Sequence, residues 1–218
     1  VDSTSISTTI AKVTPTVVAP PPNVLTYNTE SQELVVSGST DYGTMKYSLD
    51  NSSWSTTVPS ATNYGTYTVY YKVEGDSNVE DVTASSVQAS IAEKRVTVPT
   101  IELSQSVYTY DSTAKQPTVT VKDGATVIPS SEYTVSYSNN VNAGTATVTI
   151  SDNVDGNYYV SGTTTFTINK VTPTVTAPTA KSLTYNGNPQ ALLNAGSTNF
   201  GTLKYSLDGV AYSTSIPT

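Results

Sequence analysis

The sequence predicts an all-β chain built as a row of small repeated modules, and three observations carry that prediction. The first is composition. Val, Thr and Tyr dominate, with 16 Tyr against 2 Phe and with 12 Pro and 12 Gly as punctuation. Tyr suits a half-buried strand position, because its ring packs while its hydroxyl stays wet. The second is alternation. Along Gly65-Thr66-Tyr67-Thr68-Val69-Tyr70-Tyr71-Lys72-Val73, the residues Tyr67, Val69, Tyr71 and Val73 share one face and Thr66, Thr68, Tyr70 and Lys72 the other. That period of two belongs to a sheet with one covered and one wet side. The third is repetition. Residues 12–60 reappear as residues 170–218 at a constant offset of 158, with 27 of 49 positions identical and no gap. A long repeat in register marks an array of units, each a supersecondary module.

Taken in order, residues 1–11 read as the last strand of a preceding module. Ser5-Ile6-Ser7-Thr8-Thr9-Ile10-Ala11 matches the style of Ser86-Val87-Gln88-Ala89-Ser90-Ile91-Ala92 and of Thr163 to Asn169. Each of the three runs into a lysine, Val-Thr and a proline. The first whole module spans 12–93. It opens on Val17-Val18-Ala19-Pro20-Pro21-Pro22, which suits an edge strand because proline cannot serve a central ladder. Strands are expected near Leu25–Tyr27, Glu33–Ser37 and Thr44–Leu49. A turn follows at Asp50–Ser52, then the alternating strand 65–73, a polar loop, and a last strand from Val82 to Ile91.

The second module spans 94–169. Its Val119-Thr120-Val121-Lys122-Asp123-Gly124-Ala125-Thr126-Val127 predicts a two-residue hairpin centred on Asp-Gly. Tyr133–Tyr137, Thr145–Ile150 and Tyr158–Ile168 read as further strands. The third module, 170–218, is a truncated copy of the first, without a counterpart to anything from Ala61 onward. It leaves an inner face and a strand edge to be covered, and a strand from another subunit is one way to cover them. The expectation here is a piece of a longer protein.

Seven or so short strands per module with frequent turns fit immunoglobulin-like β-sandwiches. Joints of the form strand, Lys, Val-Thr, Pro carry almost no spare residues and predict an extended rod rather than loose beads.

At this level of detail the chain resembles known repeats. The second module, through Tyr108-Thr109-Tyr110-Asp111, Val119 to Gly124, Tyr133 to Tyr137 and Asn142-Ala143-Gly144-Thr145, resembles the bacterial Ig-like and MBG/YDG-type tandem repeats of large bacterial cell-surface, adhesin-like proteins. Leu25-Thr26-Tyr27-Asn28, Leu183-Thr184-Tyr185-Asn186-Gly187 and Tyr47-Ser48-Leu49-Asp50 resemble a sister group. The resemblance implies a secreted, extracellular protein of the bacterial cell surface, a stalk or an adhesin.

Composition excludes much chemistry. Cys and His are absent, so disulfides, thiolate nucleophiles and histidine-based triads are gone. A net charge of −7 offers no basic patch, so nucleic acid is not an expected partner. No run of 18 apolar residues predicts membrane insertion. No catalytic residue, cofactor or metal site is expected, and a repeated unit supplies no single cleft for paired carboxylates.

Four candidates remain. The loop Asp152-Asn153-Val154-Asp155-Gly156-Asn157 faintly resembles a calcium loop, but Gly162 stands where a closing acid belongs. Glu74, Asp76, Glu80 and Asp81 form a second acidic loop. Lys46 with Asp50, and Lys204 with Asp208, are candidates for an internal covalent bond. Exposed aromatics, above all Tyr70, Trp54 and Tyr212, are the candidate glycan contacts, since an aromatic face stacks on a sugar ring. The expected function is a non-enzymatic structural stalk that presents a distal domain, its partners being the other repeats. The alternatives are adhesion to host matrix or glycan, and a homo-oligomer built by strand exchange through the open third module.

Overall fold

The computed structural model describes residues 4–218, and the chain is all-β apart from one 3-10 turn at Ser130–Glu132. Contacts divide it into two units. One holds the residues up to Leu103, with Val119–Ser136 and Thr149–Thr164; the other holds Ser104–Thr118, Tyr137–Val148 and Thr165–Thr218.

In the first unit the strands begin with β1 (Val17–Val18), β2 (Val24–Thr26), β3 (Gln32–Glu33), β4 (Ser39–Thr40), β5 (Thr44–Ser48) and β6 (Ser60–Ala61). The long strands β7 (Gly65–Glu74) and β8 (Val82–Ala92) follow. A four-stranded sheet runs in the order β2-β8-β7-β5. Within it β8 is antiparallel to β7 and parallel to β2, with Leu25 opposite Ile91. Two short pairs, β1 with β4 and β3 with β6, complete this part of the unit.

The alternation along β7 decides what lies inside. Val69 and Val73 are fully buried, whereas Thr66 is exposed. Val69 joins Leu34, Val35, Tyr47, Ala89 and Ile91 in one core cluster, with Leu25, Tyr27, Tyr67 and Tyr71 packed on its margin. Burying each such aliphatic side chain contributes about 1.5–3 kcal/mol, which is why these short strands hold without disulfides.

Strands β9 (Lys94–Val96) and β10 (Thr100–Leu103) continue the unit, with β12 (Val119–Asp123), β13 (Thr126–Val127) and β16 (Tyr158–Val160). The hairpin between β12 and β13 pairs Asp123 with Thr126, so its two loop residues are Gly124 and Ala125. The expected Asp-Gly centre is therefore one residue off. Only Gly124, at φ 58°, takes positive φ, and a single positive φ at the first loop position needs glycine there and leaves Asp123 in the ladder.

The remaining strands are β11 (Val107–Thr109), β14 (Tyr133–Ser138), β15 (Gly144–Asp152) and β17 (Gly162–Asn169). They form a four-stranded sheet in the order β11-β17-β15-β14, with β11 parallel to β17 and Tyr108 opposite Ile168. This is the connectivity of β2-β8-β7-β5, reached with a different sequence. In the second unit Phe166 and Ile168 are buried, and the Tyr108 ring meets Phe166 edge to face at 5.4 Å.

Residues 170–218 repeat the pairings of residues 12–60 at the same offset as the sequence. The strand β18 (Val175–Thr176) pairs with β21 (Ser197–Thr198), as β1 pairs with β4. The strand β19 (Thr179–Ala180) pairs with β20 (Leu193–Asn194), where the earlier copy has a bridge between Pro22 and Val35. Tyr205 bridges Ser213 as Tyr47 bridges Ser55. A glycine is required at the same place in both copies. A Cβ on Gly38 would lie 2.6 Å from the Val18 carbonyl oxygen, and one on Gly196 would lie 2.5 Å from that of Thr176. Backbone approach this close leaves no room for a side chain.

The copies differ where a long strand would be needed. Leu25 and Thr26 are strand residues because β8 pairs with them. Leu183 and Thr184, identical in sequence, belong to no strand. Leu34 is fully buried, and its counterpart Leu192 is 36% exposed. Of residues 1–11, expected to be a strand, the first three lie outside the described residues and 4–11 carry no strand, with Ile6 and Ile10 exposed.

Candidate functional site

Side chains from distant parts of the sequence meet at the join between β8 and β9, where Glu93 alone separates the two strands. Strand β9 leaves the first sheet and pairs in parallel with β16, Lys94 opposite Tyr158 and Val96 opposite Val160. The Lys94 N–H donates to the Asn157 carbonyl at 2.8 Å. The Asn157 side chain in turn accepts the Tyr64 N–H at 2.8 Å, reaching back across the join. The Tyr27 ring meets the Tyr158 ring edge to face, with centroids 5.3 Å apart.

Two carboxylates finish this join. Glu132 is buried, and its Oε2 accepts the Tyr158 N–H at 3.1 Å. Asp123 lies 2.7 Å from the Lys94 ammonium, and this hydrogen bond pushes the Lys94 pKa up. Burial pushes the Tyr158 phenol up as well. A charge pair this exposed contributes little by itself, on the order of 0–1 kcal/mol. The aromatic pair and the parallel ladder carry more of the join.

A related contact recurs in the second unit. Tyr110, whose N–H donates to Asn169 as that of Tyr27 donates to Ala92, packs its ring edge to face on Phe200 at 5.6 Å. In both places the tyrosine follows the strand that pairs in parallel with the last long strand. Tyr185 occupies the same place in residues 170–218, and it is 92% exposed.

The predicted glycan contacts are only partly assembled. Tyr70 and Lys72 lie on the outer face of β7, where Lys72 stands directly opposite Lys46. Two like charges facing each other in a ladder repel. Lys46 turns to Glu74 at 3.2 Å, and the Lys72 ammonium lies 4.6 Å from the centre of the Trp54 ring. Trp54 therefore gives one face to its own lysine in a cation–π contact. Tyr212, at the repeat position of Trp54, is 61% exposed. It belongs to the other unit.

The remaining candidates resolve into ordinary structure. Asp50 does not approach Lys46 for covalent bonding, as its carboxylate is occupied within its own loop. It accepts the Ser52 and Ser53 N–H groups at 2.8 and 2.7 Å and the Ser48 hydroxyl at 2.7 Å. Those bonds hold its pKa well below the usual carboxylate range. Asp208 repeats the pattern on Val210, Ala211 and Ser206, and its pKa is lowered to about 2.

In the loop proposed for calcium, Asp152 and Asn157 each have an oxygen committed elsewhere, and among the described residues no three acidic side chains gather to hold a metal. Asp152 accepts the Val160 N–H, Asn153 donates to the Ser131 carbonyl, and Asn157 serves the join. In the other acidic loop, Asp76 accepts the Asn78 and Val79 N–H groups and Asp81 accepts that of Gly75. These are turn caps.

Sequence reading missed the joining residues Tyr27, Tyr110, Asn157 and Tyr158. A signal was present for two of them. Tyr27, Tyr110 and Tyr185 each precede Asn or Asp at the same point of their segments. Asn157 and Tyr158 carry no mark, because their partners lie far away in sequence. No protein-family model matches the chain, and no curated protein or solved structure does.

Proposed function

We propose that the chain is a non-enzymatic structural stalk: immunoglobulin-like modules of a bacterial surface protein, joined in an extended rod outside the cell, holding a distal domain at a distance. The observation that carries this reading is the join at Glu93. A spacer must transmit position, so its joints must resist swivelling. Here one residue separates β8 from β9, and the Tyr27–Tyr158 contact, the Asn157 bonds and the β9–β16 ladder tie both sides together. The resemblance of residues 94–169 to repeats of large surface proteins points the same way. Asp50, Asp76, Asp81 and Asp208 are spent on turns, and Glu132 and Asn157 on this join.

A panel of glycans and matrix proteins, presented to the folded chain, tests the reading. A stalk gives no saturable binding to any member. Saturable binding that disappears in Tyr212→Ala would replace the stalk with an adhesin, and Trp54→Ala would then locate a second contact.

A further inference from the structure

We propose that residues 12–93 resist tension applied along the chain, and that the parallel ladder between β2 and β8 is the clamp that bears it. This rests on the stalk reading and adds to it the load that such a stalk carries.

The direction of pairing decides how the segment meets a pull. Strand β2 lies near the entry of this segment and β8 at its exit, and the two pair in parallel. Val24 stands opposite Ser90, Leu25 opposite Ile91 and Thr26 opposite Ala92. Tension draws β2 back by its first residue and β8 forward by its last. In a parallel ladder those two residues lie at opposite ends, so the strands are driven past each other and every cross-strand bond is strained together. Were the pair antiparallel, the pulled residues would lie side by side and the ladder would open one bond at a time. The bonds of a parallel ladder are also evenly spaced, which shares the strain among them.

Neighbouring contacts lengthen the clamp. The Tyr27 N–H donates to the Ala92 carbonyl at 2.8 Å, one step beyond Thr26. At the other end of β2, the Asn23 N–H donates to the Leu34 carbonyl and the Asn23 side-chain amide donates to that of Glu33. Nearer the entry, Val13 bridges Val79, again in parallel. Its N–H donates to the Asn78 carbonyl and its own carbonyl accepts the Glu80 N–H, both at 2.9 Å. The same pull shears that bridge. Ile91 is fully buried and Leu25 packs against the core, so one side of the β2–β8 ladder is dry. A hydrogen bond is electrostatically stronger in such a setting than in water.

The arrangement occurs again in a different sequence. Strand β9 pairs in parallel with β16, and β11 pairs in parallel with β17. Each ladder ties an early strand of residues 94–169 to a late one. The Tyr110 N–H donates to the Asn169 carbonyl at 2.9 Å, as that of Tyr27 donates to Ala92. The chain has no cysteine, so no disulfide shares the load.

Optical tweezers on the full chain test the clamp by changing only the direction of pull. Introduced thiols place the handles. Ala11→Cys with Glu93→Cys draws β2 and β8 in opposite directions. Glu30→Cys with Glu93→Cys puts both handles beyond the end where Thr26 meets Ala92, so β8 peels from that end pair by pair. All three positions lie outside strands, and the two variants are expected to share the urea midpoint of the unaltered chain.

At one pulling speed the first pair should rupture at a force roughly twofold or more above the second, since forced unfolding reads the unfolding barrier rather than the equilibrium stability. Equal forces, or a higher force for the second pair, would overturn the clamp and leave the spacer reading standing. Saturable binding in the glycan and matrix panel would end the spacer reading without moving either force.

Discussion

The Tyr27 and Tyr158 rings meet at 76°, one on each side of the single residue that separates β8 from β9. Both belong to the first unit, so the contact is part of the same packed body as the β7–β8 sheet. Such an edge-to-face pair contributes about 0.5–1.5 kcal/mol beyond the area it buries. A double-mutant cycle of Tyr27→Leu and Tyr158→Leu, read by urea unfolding, is expected to return a coupling of that size. Strict additivity would mean that the rings touch without joining anything.

The repeat supplies its own control for core packing. Leu34→Ala empties a fully buried site, and about 2–5 kcal/mol of stability should go with it. Leu192→Ala removes the same side chain from the same repeat position, but at 36% exposure. Its cost should stay below about 1 kcal/mol, near that of a surface change. Denaturant unfolding of both variants decides it; equal losses would mean that residues 170–218 bury their apolar face as fully as residues 12–60.

Asp50 and Asp208 set the acid behaviour of their loops. Both have folded pKa values below the ordinary 3.8 of an aspartate, that of Asp208 at about 2, because backbone N–H and serine donors favour the carboxylate. A depressed folded value stabilises the loop above the unfolded pKa. That stabilisation fades as the pH falls through the folded one. For Asp208 the window therefore runs from about 4 down to about 2. Carboxyl carbon NMR titration should place its midpoint near the lower value, with Asp50 lower still. Midpoints near 3.8 for either would show that the loop bonds are not held in solution.

Much of the fold was legible because local pattern decides it. The alternation along β7 sets its core face from local pattern alone, and Val69 and Val73 are buried as that face requires. The turn at Asp50 was equally local, since an Asp with following N–H groups caps its own bend. What was not legible is non-local. Nothing within Leu25-Thr26-Tyr27 distinguishes it from Leu183-Thr184-Tyr185, and only the parallel partner β8 makes one of them a strand.

The hairpin missed by one residue for a related reason. Pairing of Asp123 with Thr126 depends on the partner strand, whereas Asp-Gly speaks only for the turn. Among the candidate contacts, Trp54 was legible as an aromatic of the right kind. Its Lys72 partner was not, because the register of β5 on β7 brings Lys72 opposite Lys46 and leaves it in need of a neutral neighbour.

Residual dipolar couplings measured on the first unit in a weakly aligning medium test the locked join most directly. Amides of residues 12–93 and those of β9, β10, β12 and β16 should fit a single alignment tensor, because Tyr27–Tyr158, the Asn157 bonds and the β9–β16 ladder leave the join no freedom. Two tensors of different magnitude would contradict it. They would mean that the two sides of the join swivel at Glu93, and the stalk proposal would lose the observation that carries it.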